Sequence, residues 1–283
     1  MSRIDIAHLK QWVGTETSDA DTLSVRHAHL MAATLGISPA ALSAGAPLPP
    51  LWHWIYFLIG SPPSELGRDG HPARGGFLPP VPLPNRMWAG GRLEFAAPLP
   101  LGAAVEKRSR IESVEHKQGR SGELVFVTVR HDVLHEGRIA ITEYHDIVYK
   151  EPTLPGSRSP VRAESVMPEA QHSRRFEPNS TTLFRYSALT FNGHRIHYDV
   201  DYCREVEGYG NLVIHGPLHA TLLAMYAEEI VGKPLRTFRY RGMQPSVLGA
   251  ELTINASMNG GEATVWTALP DGSVSMQAEA TFA

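Results

Sequence analysis

Strand-length segments recur along this chain, separated by turn signals, and they bind it to one kind of architecture. They read at residues 93–96, 104–114, 124–135 and 139–149, and again at 238–241, 251–258, 262–269 and 273–282. Val125, Val127 and Val129 fall at every second position, and Gly137, Asn259-Gly-Gly261 and Asp271-Gly272 supply hairpin turns. Antiparallel hairpins follow. A helix precedes each run. Leu23, His27, Leu30, Met31, Thr34 and Leu35 keep helical spacing up to a capping Gly36, and a second helix opens at Pro217 and runs to 231. Leu93-Glu-Phe…Pro98…Leu101-Gly102 is weakly repeated by Phe238-Arg-Tyr…Pro245…Leu248-Gly249, each followed by a long strand. The pattern is an α+β chain in two related halves.

The connecting segments are read as follows. Residues 4–13 form a short amphipathic helix, 14–21 a polar connector, and the aromatic run 51–58 a buried strand. Residues 60–84 are a long proline- and glycine-rich loop containing Asp69-Gly-His-Pro72, which serves either as a stiff surface loop or as a wall over a ligand. Residues 151–178, rich in Pro, Ser, Arg and Glu, form a linker. The second half opens at 181–189, and 199–207 is a short helical or turn segment.

Composition narrows the function classes. With 42% hydrophobic and 19% charged residues the chain is expected to be globular, as one large domain or two small ones. A net charge of −3 offers no electrostatic reason for nucleic acid or a membrane surface as partner. No run approaches the roughly 20 apolar residues of a spanning helix, and the start lacks a basic-then-apolar leader, so a cytoplasmic protein is expected. The single cysteine, Cys203, excludes an intrachain disulfide and a CxxC motif and reads as a small, semi-buried side chain.

Two stretches concentrate the polar chemistry. Phe191-Asn-Gly-His-Arg-Ile-His-Tyr-Asp199 places two histidines, an arginine, an asparagine and an aspartate between apolar segments, where each needs a partner or water. Val213-Ile-His-Gly-Pro217 then runs into a helix start, whose free N–H groups favour negative charge. A proton-moving histidine beside such a start outlines an acid–base site. Competing classes lack support. His194 with His197, or His215 with His219, has the spacing of a ligand pair, but there is no HExxH and no third ligand of telling spacing, so no metal is expected. GxSxG and a P-loop are missing, and Gly208-Tyr-Gly210 lacks the third glycine of a dinucleotide loop. No bound cofactor is expected.

Ser187-Ala-Leu-Thr-Phe-Asn-Gly-His-Arg-Ile-His-Tyr-Asp199 resembles the G-D-x-N-P-x-H motif of the MaoC-like, hydratase-2 class of hotdog proteins, and within it the double-hotdog branch of hydroxyacyl-thioester dehydratases. Trp52-His-Trp54, residues 65–71, residues 86–91 and Val213-Ile-His-Gly216 share the likeness, which covers most of the chain. The resemblance implies a double hotdog: a degenerate N-terminal hotdog at 1–150, the linker at 151–178, and a C-terminal hotdog carrying the motif at 179–283. It implies a hydro-lyase acting on an acyl-CoA, with CoA as part of the substrate, and allows further homo-oligomerisation. Site roles carry over by position. His197 stands at the motif histidine, and Asn192 stands where the family has aspartate, a departure that leaves His197 to move the proton. The Gly216 N–H falls where the family holds the thioester oxygen. His194, Tyr198 and His215 are expected against the substrate. Within the branch, the hydratases of short dicarboxylic enoyl-CoAs, itaconyl-CoA and mesaconyl-C4-CoA, match best; their free carboxylate asks for a cation, with Arg195, Arg185, Arg86 and Arg239 as candidates and Arg195 preferred for its place inside the motif. A dehydratase of fatty acyl chains, a silent acyl-thioester binder and a thioesterase are the alternatives.

Overall fold

The computed structural model describes residues 4–72, 75–119, 122–151 and 167–283. Ten strands form one antiparallel sheet: β1 (Glu16–Thr22), β2 (Asn85–Phe95), β3 (Ala104–Gly119), β4 (Gly122–His135), β5 (Arg138–Lys150), β6 (His172–Phe176), β7 (Leu235–Gly242), β8 (Leu252–Asn259), β9 (Glu262–Ala268) and β10 (Val274–Phe282). Their order is β1-β3-β4-β5-β2-β7-β10-β9-β8-β6. The first-half strands lie on one side of the β2–β7 seam and the second-half strands on the other.

That seam depends on two glycines. β2 bulges between Trp88 and Gly90, then pairs Gly90 with Arg241 and Gly91 with Tyr240. A Cβ on Gly90 would lie 2.6 Å from the Tyr240 carbonyl oxygen, and one on Gly91 would lie 2.7 Å from the Tyr240 hydroxyl. The absent side chains let the buried Tyr240 ring cross the seam and accept a hydrogen bond from Trp88 Nε1 (2.6 Å).

The helices are α1 (Ile6–Leu9), α2 (Val25–Leu35), α3 (Ser180–Leu189), α4 (Val200–Tyr202) and α5 (Gly216–Val231). The longest, α5, lies against β7–β10 and buries Leu218, Ala220, Leu223, Ala224 and Ala227. Gly232 ends it in the left-handed region (φ 69°), donating back to Glu228. α2 packs beside α3, and His27 Nε2 lies 3.1 Å from the Leu189 carbonyl. One apolar core spans both halves, joining Leu93, Val133 and Ile141 to Leu223, Phe238 and Val265. A second, under Val81 and Leu83, fills the first half.

Three segments differ from the sequence reading. Residues 51–58 are not a strand but a 3₁₀ turn, Trp52–Ile55, bracketed by positive φ at Leu51 (66°) and Phe57 (57°). A strand would send His53 and Trp54 to opposite faces, whereas both bond Glu143, at 3.0 Å from Nε2 and Nε1. The polar connector at 14–21 contains β1, and the end of the 151–178 segment contains β6; residues 152–166 lie outside the described residues. Both strands sit at sheet edges with mostly exposed, charged or polar side chains, so no apolar alternation marks them.

A buried polar layer lies over the first half of the sheet. Burial pushes the Glu143 carboxyl up, but the His53 hydrogen bond and the neighbouring histidines together hold the group at about 2. Burial depresses His131 to about 4 and His145 to about 3. These histidines are neutral when folded but titrate near about 6.5 when unfolded. The unfolded chain therefore binds more protons from that value down to the folded ones, and stability falls with pH across that window. Urea titrations should show a midpoint that is flat above pH 7 and drops between pH 6.5 and 4; an unchanged midpoint at pH 5 contradicts these burials. Gly90→Val should lower stability by about 1–3 kcal/mol or more, through overpacking against backbone, read as a lower urea midpoint.

Candidate active site

α3 delivers the first half of the site. Asn179 caps it, accepting from Thr182 N at 2.9 Å, and the helix ends at Thr190. Phe191 then takes a positive φ of 47°, which turns the chain sharply. Asn192 N–H donates to the Ser187 carbonyl (2.8 Å), and Asn192 Oδ1 accepts from His194 N–H (3.0 Å). The Asn192 oxygen is thus committed to the turn. Its NH₂ donors are the part of the side chain that can meet a ligand.

The turn continues as a 3₁₀ helix, Arg195–His197, docked on both backbone groups of one residue, Val213. Val213 N–H donates to the Ile196 carbonyl (2.9 Å), and His197 Nδ1 donates to the Val213 carbonyl (2.8 Å). A carbonyl accepts only, so Nδ1 carries the hydrogen and Nε2 keeps its lone pair in the neutral ring. His215 stacks on His197 with centroids 3.6 Å apart and an interplanar angle of 16°; its Nε2 lies 2.8 Å from Ser187 Oγ. Three residues after Val213, Gly216 opens α5 with Pro217 next and no side-chain cap. Its N–H is among those a helix start leaves without an intrahelical partner.

Burial lowers the His197 pKa to about 4, against the opposing pull of the Val213 carbonyl. It also holds His194 at about 2 and His219 at about 4, and pushes His215 well below its usual value. At neutral pH these four rings are uncharged, and His197 offers a base rather than an acid.

The expected site residues divide by position. Asn192, His194, His197, Tyr198, Gly216 and Arg86 line one cleft of about 2230 Å³ that runs from α5 to Trp54, Trp88 and Glu143 of the first half. Arg239 lines it too, from an exposed position on β7. His215 does not reach the cleft: it is fully buried behind His197, where it orients that ring instead of touching substrate. Arg185 is exposed on α3, outside the cleft lining. Arg195 is turned to structural work: its guanidinium binds Asp199 (3.0 and 2.7 Å) and the Arg68 carbonyl (3.2 Å) and lies over Tyr202. Tyr198 braces the turn by donating to the Gly193 carbonyl (2.9 Å). Cys203 is buried, donates to the Ile196 carbonyl, and is pushed up by burial, so it is structural. Arg86 is half-buried on β2, close enough to His194 and His145 to lower both.

Sequence reasoning missed the role of the loop at 67–72. Asp69, His71 and His194 bring ligand-capable atoms within 4.8 Å of one another, and the His71 and His194 rings are 4.2 Å apart. Asp69 accepts from His71 N–H and pairs with His71 Nδ1, both at 3.1 Å. Burial would raise the Asp69 carboxyl, but the His71 bonds hold it far below the usual range. The sequence marked this loop as a possible ligand wall and residues 65–71 as part of the family likeness, but it did not single out Asp69 or His71 as site residues.

The model of the family described as hydroxyacyl-thioester dehydratase type 2 matches residues 51–248, which include the cleft loop, the motif turn and the start of α5. Mesaconyl-C(4)-CoA hydratase of Chloroflexus aurantiacus is 41% identical over 267 residues, covering 94% of this chain and 95% of that protein. Two solved structures show the same fold. A MaoC-like dehydratase from Phytophthora capsici aligns with a TM-score of 0.70 at 14% identity over 99% of both chains. A conserved hypothetical protein from Mycobacterium tuberculosis, described as a double hotdog, aligns at 0.59 and 12% over 95% of both. With a ten-stranded two-half sheet, a histidine and helix start joined through Val213, and a family match across both, this chain is a double-hotdog protein of the hydroxyacyl-thioester dehydratase type 2 family.

Proposed function

We propose that the protein hydrates a short, branched, dicarboxylic enoyl-CoA, adding water to mesaconyl-C4-CoA to give citramalyl-CoA. The observation that carries the chemistry is the His197 Nδ1–Val213 bond, which fixes a neutral ring with its basic nitrogen at Nε2. The choice of acyl group rests on the relative named mesaconyl-C(4)-CoA hydratase and its coverage of nearly the whole chain.

In this reading the thioester oxygen rests on the Gly216 N–H, so that charge built up in the enolate meets the start of α5. Asn192 holds a water by donating to its oxygen. His197 Nε2 takes one proton as the hydroxyl bonds to the β-carbon, and protonation at the α-carbon completes the 3-hydroxyacyl thioester. Itaconyl-CoA needs one step more: a base removes an α-proton to give a dienolate, held at the same N–H, and protonation of its terminal carbon brings the double bond into conjugation before water can add. Arg86 is assigned to the distal carboxylate, since it lines the cleft beside His194 and, among the described residues, makes no ion pair. A cytoplasmic location and further self-association belong to this reading as well.

Mass-spectrometric turnover of mesaconyl-C4-CoA, itaconyl-CoA and crotonyl-CoA tests the assignment. Water should be gained on both C5 diacid thioesters and only weakly on crotonyl-CoA. Preference for crotonyl-CoA or longer chains would move the protein to the fatty-acyl dehydratases. Arg86→Ala should weaken kcat/KM for the diacids by roughly 10–100-fold, the scale of a charge-assisted bond, and leave crotonyl-CoA unchanged. Because His197 is protonated only near pH 4, the acid limb of kcat/KM should begin below pH 6; an acid limb that begins near pH 7 would contradict the buried, neutral base.

A further inference from the structure

Replacing the motif aspartate by Asn192 leaves a gap in the chemistry. His197 can take a proton from water, but a carbon must also receive one, and Asn192 has none to give. We propose that His71, oriented by Asp69, is the second proton-transfer residue of this site and the donor to carbon. The inference rests on the hydratase reading above and deepens it.

The geometry is built, not incidental. Gly67 N–H donates to the His71 carbonyl (2.7 Å) and Gly70 N–H to the Gly67 carbonyl (3.0 Å), closing the loop on itself. Arg195 then ties it to the motif turn, through its N–H to the Asp69 carbonyl (2.9 Å) and its guanidinium to the Arg68 carbonyl. Gly70 has a φ of 84°, and a Cβ there would lie 2.0 Å from the Gly193 carbonyl oxygen. Only glycine permits this approach. The consequence is that Asp69 and His71 line the same cleft as His194 and His197, with the His71 ring 4.2 Å from His194 and His194 5.4 Å from His197.

Asp69 Oδ2, 3.1 Å from His71 Nδ1, is placed to hold a proton on that ring. Burial keeps His197 neutral by contrast. In the proposed cycle His71 serves as the acid and His197 as the base. Water loses a proton to His197 Nε2 as its oxygen bonds to the β-carbon, and the C=C electrons move onto the thioester as an enolate. The enolate collapses by taking the N–H proton of His71 at the α-carbon. This leaves neutral His71 and protonated His197, and proton exchange with solvent or through the intervening His194 restores both. The same pair can move the double bond of itaconyl-CoA, His197 taking an α-proton to form a dienolate and His71 giving a proton to its terminal methylene carbon. Beside His71 lie Asp69 on its own loop and His194 and His197 on the motif turn.

The test compares wild type, His71→Gln, His71→Ala and Asp69→Asn on mesaconyl-C4-CoA, with binding of a saturated acyl-CoA and thermal melting measured alongside. His71→Gln should lose at least 100-fold in kcat with KM within about threefold, and the alkaline fall in kcat should vanish. Asp69→Asn should move that fall to lower pH, since the imidazolium loses its carboxylate. Free imidazole should restore part of the His71→Ala rate, which no structural role explains. A kcat within threefold of wild type with the alkaline limb intact overturns the proposal. So does a loss matched by lost acyl-CoA binding and melting temperature without imidazole rescue. Activity removed by a chelator and restored by one equivalent of zinc would also overturn it, in favour of a metal at Asp69, His71 and His194. If the wild type adds water to none of the three thioesters, the hydratase reading fails and takes this proposal with it.

Discussion

The backbone of Val213 is the small structure on which the site depends. Its N–H and C=O both face the motif turn, and together they hold Ile196 and His197 against the segment that becomes α5. The backbone of one residue therefore sets the tautomer of His197 and its distance along the chain from the start of α5. Neither could shift without the other. The stacked, fully buried His215 removes the remaining freedom of the His197 ring, and its own bond to Ser187 ties that stack back to α3. Burial is the cost of this rigidity, and it is also what makes His197 a base. A solvated imidazole would be partly protonated at neutral pH, whereas this one holds its lone pair.

The two halves of the sheet divide the work. The second half supplies α5, the motif turn and the base. The first supplies the far wall of the cleft, its buried Glu143–His53–Trp54 layer and the loop that brings Asp69 and His71 over the seam. Gly90 and Gly91 let the halves close to strand-pairing distance, and Gly70 lets the loop close onto Gly193. These glycines stand where backbone must meet backbone or a buried ring, and each close approach lies near the cleft.

Much of this was legible because burial imposes period. The valines of β4, the turns at Gly137 and Asn259, and the Pro217-to-Gly232 span of α5 all follow from which faces must be dry. β1 and β6 were unreadable for the same reason. They bury little, so the residues that form them carry no alternation. In the site, positions close in sequence read well: Asn192, His194, His197 and Gly216 do share a cleft. Side-chain direction did not read. Arg195 lies inside the motif yet points to Asp199, and His215 lies beside Gly216 yet is sealed behind His197. The loop bearing His71 is over a hundred residues away from the motif, and nothing in local spacing announces that the two meet.

In the proposed cycle His197 removes the proton from water. Single-turnover hydration of mesaconyl-C4-CoA by His197→Gln, at saturating enzyme, tests it most directly, since glutamine keeps hydrogen-bonding capacity but has no titrating base. The account predicts a rate lower by roughly 10²–10⁴-fold, the usual worth of a positioned acid–base group, with acyl-CoA binding retained. A rate within tenfold of wild type would contradict it and place the base elsewhere in the cleft.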